Sequence, residues 1–319
     1  MTQLLVYRER LIKFYQNYAS IINALFRFLL GIVSLNAINH IVGYQPELNH
    51  WYVDFLLAVI GVILPGSAFL FLLAVFSLAH ILYVSALLAF VVGLIYAIMY
   101  CAYVKFVPKH GYIIVALPIL LYLNLGYAVP IYLGLTMTPL AVIPIACGVG
   151  VYYLLQTITS VVSTSNDTSI DLYQLVLQRF TKNEEMYVVF FIFAAVAILV
   201  YMIRKRENNY AFEWSIVAGT ACSCVLFLIA NYAFTVHIGI IAMLLGNIAS
   251  MAAVFVFQFL RLALNYGSVE NLQFEDEEYY YYVRAVPKIS VAAPDKSVKK
   301  FSVRRFTENS ARAERKKQD

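Results

Sequence analysis

Charged residues are scarce in this chain. Asp, Glu, Lys and Arg make up 13% of its 319 residues, whereas hydrophobic residues make up 62%, and no charged residue occurs between Phe55 and Val104. Soluble domains carry about a quarter charged residues, and an apolar run of about 18 residues or more matches the hydrocarbon layer of a bilayer, which is about 30 Å thick. The composition excludes a soluble globular domain and predicts an all-α polytopic membrane helix bundle.

Residues that carry chemistry are also few. The four cysteines and five histidines are scattered, and the motifs H-E-x-x-H, G-x-S-x-G and G-x-x-x-x-G-K-[ST] do not occur. Cys222 and Cys224 form a C-x-C pair, but two residues apart on a helix they point to nearly opposite faces. We therefore predict no catalytic, cofactor-binding or metal-binding residues, no cofactor and no enzymatic activity.

The apolar runs divide the chain into three parts. We expect a cytoplasmic N-terminal segment at 1–20, a transmembrane domain at 21–261 and a cytoplasmic tail at 262–319. The first apolar run lacks a small-residue cleavage site, so we interpret it as a retained anchor. About eight spans are predicted, at Ile21–Val42, Asp54–Leu78, Ile81–Val104, Tyr112–Leu133, Pro139–Val161, Met186–Ile203, Phe212–Phe234 and Ile238–Leu260.

Basic residues in the short loops predict the orientation, because such loops stay on the cytoplasmic side. The N-terminus around Arg8, the segment 204–206 and the tail from Arg261 are basic. Eight spans place all three in the cytoplasm, with both termini, and place the loop 163–185 outside the plasma membrane.

One loop disagrees with this orientation, because Lys105 and Lys109 would then lie outside. An alternative resolves the conflict by laying 21–42 along the interface and letting 112–161 cross three times. That region is too short for three spans of about 20 residues each, so we favour the model with eight spans.

Prolines and glycines interrupt two apolar regions. Pro65 and Gly66 predict a break in the second span, because proline removes a backbone donor and clashes with the preceding turn. The region 112–153 carries four further prolines. Broken helices at membrane depth can line a binding cavity, although proline is also simply common in transmembrane helices. The predicted cavity residues are Pro65, Gly66, Asn124, Pro130 and Pro144.

The predicted outer loop contains apolar residues at helical spacing. Leu172, Leu175, Val176 and Phe180 predict a short amphipathic helix that lies on the membrane surface or packs across the mouth of the bundle.

The tail has a different composition. Residues 279–291 alternate, with Tyr279, Tyr281, Val283 and Ile289 on one face of a predicted edge strand. A second strand is predicted around 298–303, giving a hairpin-like unit before a disordered end. Since two strands alone are marginally stable, we expect the apolar face to bind a protein partner or a second copy.

The chain beyond Val291 is basic. Such a segment is attracted to anionic lipid headgroups. Nucleic-acid binding is not expected, because no groove-reading element accompanies the charge.

The segment VENLQFEDEEYYYYVRAVPKISV, at 269–291, resembles a tail segment of uncharacterised multi-pass membrane proteins of low-GC Gram-positive anaerobes. The resemblance covers less than a tenth of the chain. It implies a bacterial plasma-membrane protein and no particular mechanism.

These features favour a non-enzymatic membrane subunit or scaffold that presents its tail to a partner in an envelope or transport assembly. The main alternative is a permease for a neutral or lipidic substrate that passes the broken helices at 112–153. An intramembrane enzyme is the third hypothesis.

Overall fold

The computed structural model describes residues 2–106, 111–164, 172–206, 209–233, 239–261, 270–276 and 278–285. This part of the chain is an all-α bundle with a small hairpin, which confirms the predicted fold class. Seven of its helices are long and apolar enough to cross a membrane. The elements are α1 Thr2–Val42, α2 Trp51–Ile63, α3 Gly66–Val84, α4 Ala86–Phe106, α5 Gly111–Tyr122, α6 Ala128–Thr136, a 3₁₀ turn Pro139–Ala141, α7 Val142–Thr164, α8 Leu172–Thr181, α9 Glu184–Arg204, α10 Ala211–Ala233, α11 Ile240–Arg261, β1 Glu270–Glu275 and β2 Tyr280–Ala285.

Helix α1 begins well before the predicted start at Ile21. Its 41 residues bend at Tyr18, whose φ of −114° and ψ of 19° are not helical. The arm after the bend packs against the bundle along one face, where Gly31 lies against Ala58 of α2 and Phe69 of α3. We call the end of the bundle at which α1 begins the lower end, and the end at which α1 finishes, at Val42, the upper end.

The predicted second span is two helices. Leu64 is extended, with ψ of 144°, as expected for a residue before proline, and Pro65 precedes the first turn of α3. The break predicted at Pro65 is therefore confirmed. Gly61 lies against Phe69 across the break, so α2 descends and α3 ascends, which the sequence-based span Asp54–Leu78 did not anticipate.

Helices α3 and α4 form an antiparallel hairpin that turns at Ser85. Leu78 lies near Gly93, and the Ser77 hydroxyl donates a hydrogen bond of 3.1 Å to the Tyr96 hydroxyl. The predicted boundary between spans at residues 79–80 is wrong, because α3 continues to Val84.

Helix α7 ascends beside α1 and α9 descends beside α7. At the upper end, the Thr159 hydroxyl donates a hydrogen bond of 2.9 Å to the Ile41 carbonyl. The Tyr153 hydroxyl donates one of 3.1 Å to Glu185, in the first turn of α9. Helix α10 then ascends and α11 descends, and Arg8 of α1 lies 5.9 Å from the centre of the Phe259 ring in α11. The start of α1 and the finish of α11 thus share the lower end.

Helix α5 enters from the lower end and stops inside the bundle. The Tyr112 ring lies against Gly66, at the start of α3, and the Arg27 guanidinium lies 5.6 Å from its centre. Leu117 packs against Gly148, in the lower part of α7. The helix has 12 residues, or about 18 Å at 1.5 Å per residue, which is well short of a hydrocarbon layer of about 30 Å.

Helix α6 returns to the lower end. The Tyr127 ring lies 6.1 Å from that of Phe193, in the middle of α9. Arg204, the last residue of α9, donates hydrogen bonds to the carbonyls of Leu135 and Met137. The pair α5–α6 therefore enters and leaves at one end and is re-entrant.

The predicted span Tyr112–Leu133 is consequently wrong. The chain turns back at Asn124, whose φ of 57° is left-handed. Asparagine tolerates this conformation because its short polar side chain can form local hydrogen bonds. The second predicted span is two helices of opposite direction, and the span predicted here does not cross. Eight helices therefore still alternate in direction, namely α1, α2, α3, α4, α7, α9, α10 and α11, and α2 is the shortest of them at 13 residues.

The division of the second predicted span into α2 and α3 relocates Lys105. Helix α4 ends at Phe106 and α5 begins at Gly111, and both positions are at the lower end, together with Arg8 and Arg204. The sequence-based conflict over this loop arose because Asp54–Leu78 was taken as a single crossing, whereas α2 and α3 are two helices of opposite direction. Lys109 lies outside the described residues.

The predicted amphipathic helix is confirmed as α8. Leu172 and Val176 are buried in a cluster with Leu88 of α4 and Ile158 of α7. The helix packs across the upper end of these two helices. Ser163 and Thr164 precede it in α7, whereas residues 165–171 lie outside the described part.

The tail forms an antiparallel hairpin between β1 and β2. Phe274 is the register partner of Tyr281, and Leu272 is that of Val283. The strand predicted in this segment exists, but it pairs with the preceding residues 270–275. The second strand predicted at 298–303 lies outside the described residues, as does Ile289.

Candidate functional site

The main candidate site is a cavity of about 390 Å³ inside the first half of the bundle. Five helices line it, through residues within 32–41 of α1, 70–77 of α3, 96–103 of α4, 114–122 of α5 and 147–155 of α7, together with Leu123 directly after α5. Four of these helices, α1, α3, α4 and α7, are candidate membrane spans, so the cavity between them lies at membrane depth.

The cavity exists because α5 is a half-length helix. It occupies the lower part of the slot between α1 and α7 and ends at Tyr122. The Leu125 amide then bonds to the Leu120 carbonyl, which closes the last turn of the helix. Above Leu123, no element of the described chain fills the slot until Thr159 meets Ile41 at the upper end.

The lining is almost wholly apolar. Among the described residues it contains no Asp, Glu, Lys or Arg, and its buried hydroxyls are bonded. Ser34 donates to the Leu30 carbonyl at 2.5 Å, and Ser77 donates to Tyr96. An uncharged, satisfied wall favours an apolar ligand, because it offers no partner for a desolvated charge.

The cavity has a mouth on the lipid-facing side of the bundle. Val33, Tyr122 and Leu123 line the cavity and are 47%, 65% and 56% exposed. Asn36 and His40, on the same face of α1 as Val33, are also exposed lining residues. The mouth thus carries two polar side chains on an otherwise apolar rim.

The five predicted cavity residues do not line this cavity. Pro130 and Pro144 are buried within α6 and α7. Gly66 packs against Tyr112, and Asn124 forms the turn directly after the mouth residue Leu123. The broken region contributes Pro118, Tyr122 and Leu123 instead.

Sequence reasoning missed the contribution of α1, which supplies most of the polar residues at the mouth. A usable signal was present: Val33, Asn36 and His40 recur at helical spacing. Their meaning depends on the shortness of α5, which leaves this face of α1 uncovered.

Arg204 fixes the other arm of the re-entrant pair. Its guanidinium donates to the carbonyls of Leu135 and Met137 at the last turn of α6. These carbonyls have no partner within the helix, and a cation at a helix C-terminus also interacts favourably with the helix dipole.

The carboxylates of Asp54 and Glu213 lie in the first turns of α2 and α10, and each accepts hydrogen bonds from an amide side chain. Asn39 donates to both carboxylate oxygens of Asp54, at 2.9 and 3.1 Å. Gln258 donates to Glu213 at 2.8 Å and joins α10 to α11. Among the described residues, no group of three or more His, Cys, Asp or Glu side chains is placed to hold a metal ion.

The hairpin is the second candidate site. Tyr279, Tyr281 and Val283 are exposed. The Asp276 carboxylate accepts hydrogen bonds from the amides of Glu278 and Tyr279, at 2.9 and 2.8 Å, and from the Tyr281 hydroxyl at 2.8 Å. These bonds lower the pKa of Asp276 below its usual value, and the two amide bonds have the largest effect.

No known protein family, curated protein or solved structure matches this chain. Its seven long apolar helices indicate a multi-pass membrane protein. Any inference about its function must therefore come from the geometry of this chain.

Proposed function

We propose that this protein is a permease or carrier that takes up an uncharged, lipidic molecule into its intramembrane cavity. The observation that carries the proposal is a cavity of about 390 Å³ at membrane depth, whose described lining residues include no Asp, Glu, Lys or Arg and whose mouth lies among exposed apolar side chains. Ligand sites typically have volumes of about 300–1,000 Å³ and mostly apolar walls with few polar groups.

The character of the wall decides the substrate class. Burial of an unpaired charge is costly, so charged substrates need charged or metal partners at depth. The described lining offers hydrogen-bonding groups at Asn36, His40 and several tyrosines, and no Asp, Glu, Lys or Arg. The proposal assigns no catalytic residue.

The lower end is proposed to face the cytoplasm of a bacterial plasma membrane. Basic residues collect at that end: Arg8, Arg10 and Lys13 in α1, Lys105 in α4, and the segment 204–206 at the end of α9. Basic segments are retained on the cytoplasmic side. Both termini then lie in the cytoplasm, and α8 lies outside.

Filling the cavity tests the proposal. Ala74 lines the cavity, whereas Ala221 is exposed on α10. We expect the natural protein and Ala221→Trp to retain lipid through detergent purification, as seen by mass spectrometry of the intact protein, and Ala74→Trp to lose it. Equal retention by the folded Ala74→Trp variant contradicts the proposal.

The hairpin supports a second candidate, a scaffold that presents its tail to a protein partner or to a second copy. Exposed apolar patches of this kind mark interaction sites, and an exposed strand edge can add backbone pairing. The basic chain beyond Val291, which lies outside the described residues, would add contact with anionic lipid.

Tyr281 and Tyr280 provide a matched test of this candidate, because successive strand residues point to opposite faces. Tyr281→Asp should release a co-purifying partner or break self-association, whereas Tyr280→Asp should not. If both variants keep the same partners as the natural chain, the alternating face is not an interface.

A further inference from the structure

The mouth of the cavity is a window in the wall of the bundle. Its lower sill is the end of α5 at Tyr122 and Leu123, and its upper edge is the contact between Ile41 and Thr159. Helix α1 forms one side of the window. Val151 of α7 lines the cavity behind the window, on the side away from α1. Because Val33 and Asn36 lie within the candidate membrane span Tyr7–Val42, we infer that the window opens toward the acyl chains.

The window lies within one leaflet. His40 and Val33 are two and nine residues before the last residue of α1, so they lie about 3 and 14 Å below its upper end at 1.5 Å per residue. Half of a hydrocarbon layer of about 30 Å is about 15 Å. The exposed rim therefore spans the leaflet at the upper end and stops near the midplane.

The cavity continues below the window. Tyr103 and Ile114 line it, and both are buried in a cluster at the level where α4 ends and α5 begins. The space thus runs from an open, weakly polar upper rim to a closed apolar floor. This shape matches an amphiphile whose chain points down and whose polar group stays at the rim.

We propose that the window admits an acyl chain of a lipid from the leaflet at the upper end, while the polar group of that lipid remains beside Asn36 and His40. This inference rests on the proposed function and adds the ligand class and the route of entry. The amide of Asn36 and the imidazole of His40 can hydrogen-bond to the ester or hydroxyl oxygens at the base of a headgroup. Among the described lining residues, no Asp, Glu, Lys or Arg selects for headgroup charge.

A photoreactive lipid confined to one leaflet tests the route. The full-length protein is reconstituted into phosphatidylcholine vesicles, which are sorted by capture through an N-terminal affinity tag. Phosphatidylcholine with a diazirine in its acyl chain is then placed in one leaflet and irradiated at once. We expect adducts on residues 147–155 when the probe is in the leaflet at the upper end, and their loss when it is in the other leaflet.

Substitutions at the sill give the matched comparison. Leu123→Trp should abolish the adducts on 147–155 by narrowing the window, and Leu123→Ala should preserve or increase them. Leu228→Trp, on the lipid-facing side of α10, should leave them unchanged. Because Leu123 is exposed, these changes do not disturb the packed interior.

The outcomes separate this inference from the proposed function. Adducts on 147–155 that form equally from both leaflets, or that survive Leu123→Trp, overturn entry through the window but leave a lipid-binding cavity. If the probe labels only residues on the outer surface of the bundle and none in 147–155, whichever leaflet holds it, both the entry route and the lipid-binding cavity are overturned.

Discussion

Arg204 is the side chain through which α9 holds the returning arm of the re-entrant pair. It bonds to the carbonyls of Leu135 and Met137, at 3.2 Å in the second case, and its guanidinium lies 5.4 Å from the Tyr201 ring centre. Arg204→Met keeps much of the aliphatic stem and removes the charge and the donors. The two carbonyls at the end of α6 then lose the side-chain donor that Arg204 supplies.

The expected loss is large for one substitution. A hydrogen bond to a charged group contributes about 1.5–3 kcal/mol, and a cation at a helix C-terminus adds about 0.3–1 kcal/mol. Arg204 is only half-buried, so water replaces part of the lost bonding. We therefore expect Arg204→Met to lower the free energy of unfolding by about 2–4 kcal/mol.

The assay is reversible unfolding in mixed detergent and SDS, followed by the fluorescence of Trp51 and Trp214. Arg206→Met is the control, because Arg206 is exposed at the same end and surface changes usually stay within about 0.5 kcal/mol. Arg204→Lys should fall between the two, since it keeps the charge but not the forked donors. An Arg204→Met loss no greater than that of Arg206→Met would refute the anchoring role.

Three further predictions follow from local geometry. Gly246→Val should cost about 1–3 kcal/mol by overpacking, because Gly246 lies against the Asn124 carbonyl and the Tyr127 ring. Gly239→Val should cost less, because among the described residues a side chain there meets Ala242 alone, at ordinary van der Waals distance; the same SDS titration measures both. The lowered pKa of Asp276 means that its bonds stabilise the hairpin above the usual carboxyl pKa of about 3.9 and are lost as pH falls through the lowered folded value. Amide exchange across 270–285 should quicken in that acid range, and Asp276→Ala should remove the dependence. For orientation, a cysteine at Glu47 in a background lacking the native cysteines should react with an impermeant reagent in intact cells, and one at Arg206 should not; labelling at Arg206 alone would invert the orientation.

Local features of the chain were predictable because their causes are local. The break at Pro65 follows from the missing amide and the steric effect on Leu64. Helix α8 follows from the spacing of Leu172 and Val176, which the structure buries. The strand at Tyr281 follows from alternation along a short segment.

The pairing of that strand was less predictable. A period of two identifies a strand but does not choose its partner. The turn closed by Asp276 brings residues 270–275 alongside it, and the mixed polar and apolar residues of that segment gave no strong strand signal.

What the sequence determined by itself was the solvent of this protein: a chain with so little charge and so many long apolar runs must lie in a bilayer, as an all-α bundle. What only the tertiary structure decided was the path at Tyr112–Leu133. Those residues have the length and apolarity of a span, and only the packing of Leu117 against α7 and of Tyr127 against α9 shows that the chain turns back. Such contacts join residues far apart in sequence, so hydropathy cannot report them. The half-filled slot, the cavity and its window in one leaflet all result from that turn.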